Sequence, residues 1–334
     1  MITRSLRLQQ PPYWQTLLSQ AITEPEQLLH ELRLPQSLLP VAARASSEFK
    51  LRVPRGFLAR MRQGDPDDPL LRQILPLGEE LHSVPGYSTD PLDELDTMPA
   101  AGVLHKYRGR VLLTLTGACA IHCRYCFRRH YPYNEANPTR DHDKTIDYLR
   151  RQPEVREVIL SGGDPLTLSD SRLAGLVSSI ETIARVKRLR IHSRLPIVLP
   201  ERIDPSLLEW MSATRLQIVL VIHSNHANEL DANVDRAMNR LRQAGVTLLN
   251  QSVLLRGIND RPGDLVDLSE RLFAADVLPY YLHQLDPVQG AAHFSVSDRD
   301  ARLLVEEMRR QLPGYLVPRL VREHPGRASK TPLY

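Results

Sequence analysis

Three cysteines, Cys119, Cys123 and Cys126, are the only thiols in 334 residues and fall within eight consecutive positions. They lie in Thr116-Gly-Ala-Cys119-Ala-Ile-His-Cys123-Arg-Tyr-Cys126-Phe-Arg-Arg, a Cys-x3-Cys-x2-Cys spacing that puts three soft ligands on one short loop. Such ligands select zinc or an iron–sulfur cluster. Most clusters take four thiolates. Three leave one iron open to bind and act on a substrate, much as a vacant position separates a catalytic zinc from a structural one. Two plainer readings stand beside this: three buried thiols, or a Cys3His zinc knuckle completed by His122 or His130. An odd number of cysteines so close together leaves nothing for a disulfide framework and points to a reducing compartment.

Other residues carry weaker signals. In Ser161-Gly162-Gly163-Asp164-Pro the paired glycines let backbone approach a ligand closely, and Asp164 can accept from an ammonium. A plain strand-to-helix turn would read the same. Lys106-Tyr107-Arg108-Gly-Arg110 is a basic stretch that suits a phosphate or a solvated entry loop. Lys330, in Ser-Lys-Thr-Pro, reads alone as an ordinary surface lysine.

These groups need a frame. From Val111 onward, short apolar runs (111–115, 157–160, 188–192, 217–222, 247–254 and 279–282) alternate with amphipathic stretches (144–151, 171–183, 205–212, 232–243, 264–274 and 298–311). Six such βα units predict a parallel sheet covered on both faces. About 200 residues of them suit a partial (β/α) barrel better than a small open sheet. The cysteine loop follows the first run and the Gly-Gly-Asp segment the second, so both belong at the carboxyl edge of the strands, where such folds place their chemistry.

Residues 1–100 hold 12 of the 26 prolines, with short helical patterns over 14–21, 26–34 and 56–63. A helical, loop-rich extension is expected there. Hydrophobic residues at 42% and charged residues at 25% are ordinary globular usage, which excludes collagen-like, coiled-coil and wholly disordered chains. The net charge of +4 permits nucleic-acid binding without arguing for it. No apolar leader or membrane-length run is present, so a cytoplasmic protein with no membrane or nucleic-acid partner is expected.

The cysteine motif, ending in Cys-x-Tyr-Cys-Phe after the first strand of a βα series, resembles the radical S-adenosylmethionine (SAM) superfamily. Within it, Cys-Arg-Tyr-Cys-Phe-Arg-Arg resembles the lysine 2,3-aminomutases, most closely the EpmB branch that makes (R)-β-lysine for elongation factor P. The likeness extends through LRVPRGF, GDPDDPLLRQ, STDPL, VLHKY, SGGDPL, IHSRLPIV, LNQSVLLRG, VQGAAHF and SKTPL, nearly the whole chain.

The resemblance implies a partial (β/α)6 TIM-like barrel over 101–323, an N-terminal helical extension over 1–100 and a C-terminal segment, 324–334, carrying the lysine for pyridoxal 5'-phosphate (PLP). It implies a [4Fe–4S] cluster on Cys119, Cys123 and Cys126, with SAM held by Gly162, Gly163, Asp164, His223 and Gln251. PLP would be held as an aldimine on Lys330, with Tyr107 and Arg110 at its phosphate and Lys106 in place of a usual arginine. Arg128 would clamp the substrate α-carboxylate, and Asp286 and Glu323 would face the distal ammonium. Glu323 stands where clostridial-type members have Asp, and Pro325-Gly-Arg-Ala-Ser329 where they have a glycine run.

The implied reaction is an isomerisation, an intramolecular amino transfer. Reductive cleavage of SAM gives a 5'-deoxyadenosyl radical that takes hydrogen from Cβ of lysine bound to PLP; the nitrogen migrates from Cα to Cβ and the hydrogen returns. Implied partners are L-lysine, a separate β-lysine ligase, elongation factor P and an external electron donor, and the chain could form an oligomer. Rival readings are a PLP-free radical SAM enzyme, an aminomutase for glutamate or arginine, and a zinc-stabilised binding protein.

Overall fold

The computed structural model describes residues 12–133 and 142–334. Its N-terminal part is built from α1 (Tyr13–Ser19), α2 (Pro25–Glu31), α3 (Leu39–Glu48) and the single turn α4 (Arg55–Leu58), joined by 3-10 turns and loops. The helical pattern over 56–63 stops early for a physical reason. The buried Asp68 carboxylate accepts from the backbone N–H of Arg62, Leu70 and Leu71, and this local competition pulls the chain out of helical geometry. Helix α3 lies outside the expected patterns because Pro40 reads as a breaker, whereas at a helix start its missing N–H costs nothing.

Among the described residues nine strands form one sheet in chain order: β1 (Val103–Tyr107), β2 (Arg110–Thr114), β3 (Glu157–Ser161), β4 (Arg188–Ser193), β5 (Gln217–His223), β6 (Thr247–Val253), β7 (Leu278–His283), β8 (Arg319–Arg322) and β9 (Thr331–Pro332). Strands β2 to β8 are parallel, and β1 and β9 pair antiparallel at the two edges. The six expected βα units are present, with helices α5 (His142–Arg151), α6 (Asp170–Glu181), α8 (Pro205–Ala213), α9 (Ala232–Gln243), α10 (Pro262–Ala274) and α11 (Asp298–Gln311); a short α7 (Leu195–Val198) follows β4. Helix starts are well marked. Asp204, Asp231 and Ser297 cap α8, α9 and α11 through their side-chain oxygens. Helices α6, α9, α10 and α11 bury an i, i+3, i+4, i+7 stripe, such as Ala301, Leu304, Val305 and Met308 of α11.

The sheet curls. Lys106 on β1 and Glu323 just past β8 form an ion pair at 3.2 Å. In a flat sheet, strands seven places apart would lie roughly 30 Å from each other. The contact therefore requires a barrel-like curve, closed at this point by side chains and not by strand pairing. The N-terminal helices complete one apolar core with the barrel, since Trp14, Leu28 and Phe57 pack in the same cluster as Leu113, Val158, Leu189, Ile218 and Leu248. Among the described residues no helix is long and apolar enough to cross a membrane.

Candidate active site

The loop that follows β2 carries the three cysteines and is gripped from two sides. On one side the loop after β3 donates Gly163 N–H to the Thr116 carbonyl at 2.6 Å and Asp164 N–H to the Ala118 carbonyl at 2.7 Å. The paired glycines are required by this approach: a Cβ on Gly163 would sit 2.4 Å from the Ala118 oxygen, and one on Gly162, at φ +129°, 2.6 Å from the Thr116 oxygen. On the other side the N-terminal segment holds the same loop. His122 N–H donates to the Arg52 carbonyl at 3.0 Å and Arg124 N–H to the Gln73 carbonyl at 2.9 Å. The Arg124 and Arg129 guanidinium groups both pair with buried Glu80, at 2.6 and 2.9 Å, and both lie over the Phe49 ring.

Burial pushes the Cys119 and Cys126 thiols up, the latter to about 11, and the neighbouring cysteine sulfurs push them further. The three are thus electrostatic neighbours. The imidazoles a zinc knuckle would need are turned elsewhere, His122 Nδ1 to the Lys50 carbonyl at 2.8 Å and His130 Nε2 to the Gln289 carbonyl at 3.3 Å. Among the described residues no three His, Cys, Asp or Glu side chains converge on a single ion. Thiolates around a four-iron cluster need no such convergence, because each takes a separate iron.

Asp164 is committed to the scaffold. Its carboxylate accepts from Ser193 Oγ at 2.8 Å and from the backbone N–H of Leu166, Arg194 and Leu195 at 3.0, 2.8 and 3.0 Å. Burial still lifts its carboxyl to about 6. The residue thus ties the glycine loop to the end of β4, which the sequence pattern alone does not reveal.

His223 ends β5, and Gln251 on β6 is its register partner. His223 Nε2 meets Tyr125 Oη at 2.9 Å with the two rings stacked, and burial beside Arg194 drives its pKa down to about 3, so the ring is neutral. Tyr125 is the third residue of Cys123-Arg-Tyr-Cys126. Its hydroxyl also meets Gln73, Asn225 and Arg194, which joins the cysteine loop to β4 and β5.

An alternating ionic chain crosses the seam of the barrel. Arg128 is buried, not a surface arginine, and is held by Glu94 through two bonds of 2.6 and 2.9 Å, with Nη1 on Ser161 Oγ at 3.2 Å. Glu94 also pairs with Lys106 at 3.1 Å, Lys106 with Glu323 at 3.2 Å, and Glu323 with the Lys330 amine. Burial pushes Glu323 up, but Lys330 and Lys106 outweigh it and hold the carboxyl well below its usual range; Arg128 and Lys106 do the same for Glu94. Lys106 and Tyr107 lie on β1, not in a solvated loop, and the Arg110 guanidinium stacks on the Tyr107 ring at 4.0 Å.

Asp286, past β7, is the contrasting carboxylate. No donor among the described residues reaches its oxygens, and burial lifts it to about 7 against the pull of Lys330. Two histidines that the sequence reading did not single out share this interior. His192 on β4 and His283 on β7 are both pushed well below the usual imidazole range by burial, and both lie within electrostatic reach of Lys330 and Glu323. His192 Nε2 is buried without a partner.

Residues 113–210 match the family model of the Radical SAM superfamily. The chain is 51% identical over 323 residues to an L-lysine 2,3-aminomutase of Escherichia coli, covering 96% of this chain and 94% of that protein. It is 46% identical to the L-lysine 2,3-aminomutase of Haemophilus influenzae, covering 95% and 94%, and 35% identical to that of Clostridium subterminale, covering 96% and 77%. The chain belongs to the lysine 2,3-aminomutase family.

These isomerases work with a [4Fe–4S] cluster, SAM and PLP, and the residues present fit that set. Three neighbouring thiols on one loop, beside a glycine cradle that a Cβ would fill, suit a cluster with one open iron. The Lys330 amine, paired with Glu323 (which Lys106 also holds) and lying over the Tyr281 ring, with the orphaned His192 nitrogen in the same interior, suits an aldehyde cofactor. Residues that the motif reading missed, Glu94, Arg194 and His192, lie inside or beside its quoted segments STDPL and IHSRLPIV. Their importance comes from partners distant in sequence, which no local spacing signals.

Proposed function

We propose that this lysine 2,3-aminomutase family member converts (S)-α-lysine into (R)-β-lysine, and that the product serves the modification of elongation factor P by a separate ligase. One set of charges supports the reading: the buried guanidinium of Arg128, and the carboxylates Glu323, paired with Lys330, and Asp286, which Lys330 pulls on, all past the carboxyl ends of strands of the same sheet. Lysine carries an α-carboxylate at one end and an ammonium at the other, and burying either unpaired costs several kcal/mol. A guanidinium answers the first and two carboxylates answer the second. Glutamate would bring a third negative charge to the acidic end.

When bound, SAM and its cluster supply a primary carbon radical, and PLP supplies a conjugated ring that can delocalise the resulting spin. The chain's own residues position and shield. Cys119, Cys123 and Cys126 hold iron; Gly162, Gly163, His223 and Gln251 line the side where SAM would lie; Asp164 fixes the glycine loop. Lys330 provides the amine that anchors PLP, with Tyr107, Arg110 and Lys106 toward its phosphate. Arg128 holds the substrate carboxylate through the guanidinium edge that Glu94 leaves free. An external donor would supply the electron needed to reduce a cluster held by Cys119, Cys123 and Cys126.

The role in elongation factor P modification rests on the EpmB-type motifs. Mass spectrometry of elongation factor P from host cells with and without this chain tests it. Loss of the β-lysyl mass increment when the chain is deleted supports the role, and an unchanged mass refutes it.

A further inference from the structure

Arg194, directly after β4, is buried and has four of its five donors assigned. Nη1 donates to Cys123 Sγ at 2.7 Å and to Tyr125 Oη at 2.7 Å, while Nη2 donates to Gln73 Oε1 at 2.6 Å and to Glu229 Oε2 at 2.9 Å. Its Nε is buried and unpartnered. Its acceptors are themselves fixed: Gln73 Nε2 bonds the Pro69 carbonyl and Glu229 Oε1, both at 3.1 Å, and Glu229 Oε1 also accepts from Asn225 N–H at 2.7 Å. The guanidinium therefore has one place to be, against a cysteine sulfur.

The other arginines near the cysteine loop are spent differently. Arg124 and Arg129 face Glu80, and Arg128 faces Glu94. Among the described residues Arg194 is the arginine whose hydrogen bond reaches a thiol of the motif, and the Tyr125 hydroxyl that it also holds bonds the same Cys123. The potential of an iron–sulfur cluster follows from its net charge, from hydrogen bonds to its sulfurs and from solvent exposure. Reduction adds an electron to a site already rich in thiolate charge, and a donor on a ligand sulfur favours that state.

We propose that Arg194 tunes the cluster toward reduction through its hydrogen bond to Cys123, as a positioning residue and not a ligand; this rests on the cluster reading above. Glu229 balances the charge of the pair, so the effect arises because the positive end of an otherwise neutral unit faces the sulfur.

The test is an anaerobic redox titration of reconstituted wild type, Arg194→Gln and Glu229→Gln, with iron and sulfide counted and the reduced cluster followed by electron paramagnetic resonance. Arg194→Gln should load iron as wild type does, yet at a fixed poise its reduced-to-oxidised ratio should fall at least tenfold, equivalent to about 59 mV for one electron. Glu229→Gln removes the counter-charge while keeping the guanidinium, and its midpoint should rise. An unchanged midpoint in iron-loaded Arg194→Gln overturns the proposal. If that variant loads no iron, an unchanged midpoint in Glu229→Gln overturns it, and failure of both to hold iron makes the role structural. Wild type that binds zinc or no iron would instead refute the cluster reading.

Discussion

Glu94 grips Arg128 along one edge of its guanidinium, Oε2 to Nε at 2.6 Å and Oε1 to Nη2 at 2.9 Å, and both side chains are buried. The residues stand 34 positions apart. Together they begin the chain Arg128, Glu94, Lys106, Glu323, Lys330, in which every charge is flanked by its opposite.

Breaking this chain should be costly. Glu94→Gln leaves the buried Arg128 without its counter-charge and Lys106 with Glu323 alone, so the apo-protein should lose about 3 kcal/mol of stability, read from urea unfolding midpoints. The same variant should raise KM for lysine more than it lowers kcat, because Arg128 loses its orientation. Glu94 and Glu323 are both held below the usual carboxylate range. Their contribution is then present at neutral pH and is lost as pH falls below about 4.

Asp286 gives the opposite pH signature. Its carboxyl is lifted to about 7, so the anion that attracts an ammonium forms only as pH rises through that value. For wild type, kcat/KM for lysine should climb across pH 6 to 8, since this parameter reports groups of the free enzyme. Asp286→Asn should abolish that limb and lower kcat/KM roughly 10²-fold, about 3 kcal/mol for a lost charged hydrogen bond. A limb that persists in Asp286→Asn assigns it to another group.

Gly163→Ala tests the cradle. The added methyl meets the Ala118 carbonyl at 2.4 Å, backbone against backbone, so the cysteine loop must move. The expected cost is about 1–3 kcal/mol in stability, together with a clear drop in iron bound per chain after reconstitution. Normal iron content would mean that the loop tolerates displacement.

Lys330→Ala separates the two cofactor sites. The variant should bind iron and SAM as wild type does, but borohydride treatment in the presence of PLP should no longer fix the cofactor to the chain. Label appearing on another lysine of wild type would move the anchoring residue.

The central strands were legible because apolar, β-branched runs such as Gln217–His223 admit little else, and helices α9 and α11 because their buried stripes repeat at helical spacing. The sheet edges were not. Strand β1 carries His105 and Lys106, β8 begins and ends on arginine, and β9 is two residues long; their pairing is set by the curl of the sheet. The cysteine loop was legible from spacing alone, whereas Lys330, Asp286 and Glu323 needed the family resemblance to stand out from ordinary surface and strand-end residues. Arg194 and Cys123, 71 positions apart, meet only when β2 and β4 are two strands from each other in the folded sheet.

The most direct test of the account is product analysis after anaerobic reconstitution and incubation with SAM, PLP and a reductant, offering lysine, glutamate and arginine in parallel. The charge arrangement around Lys330 predicts (R)-β-lysine from lysine and little or no turnover of glutamate. Preferential formation of β-glutamate or β-arginine, or lysine turnover independent of added PLP, would contradict it.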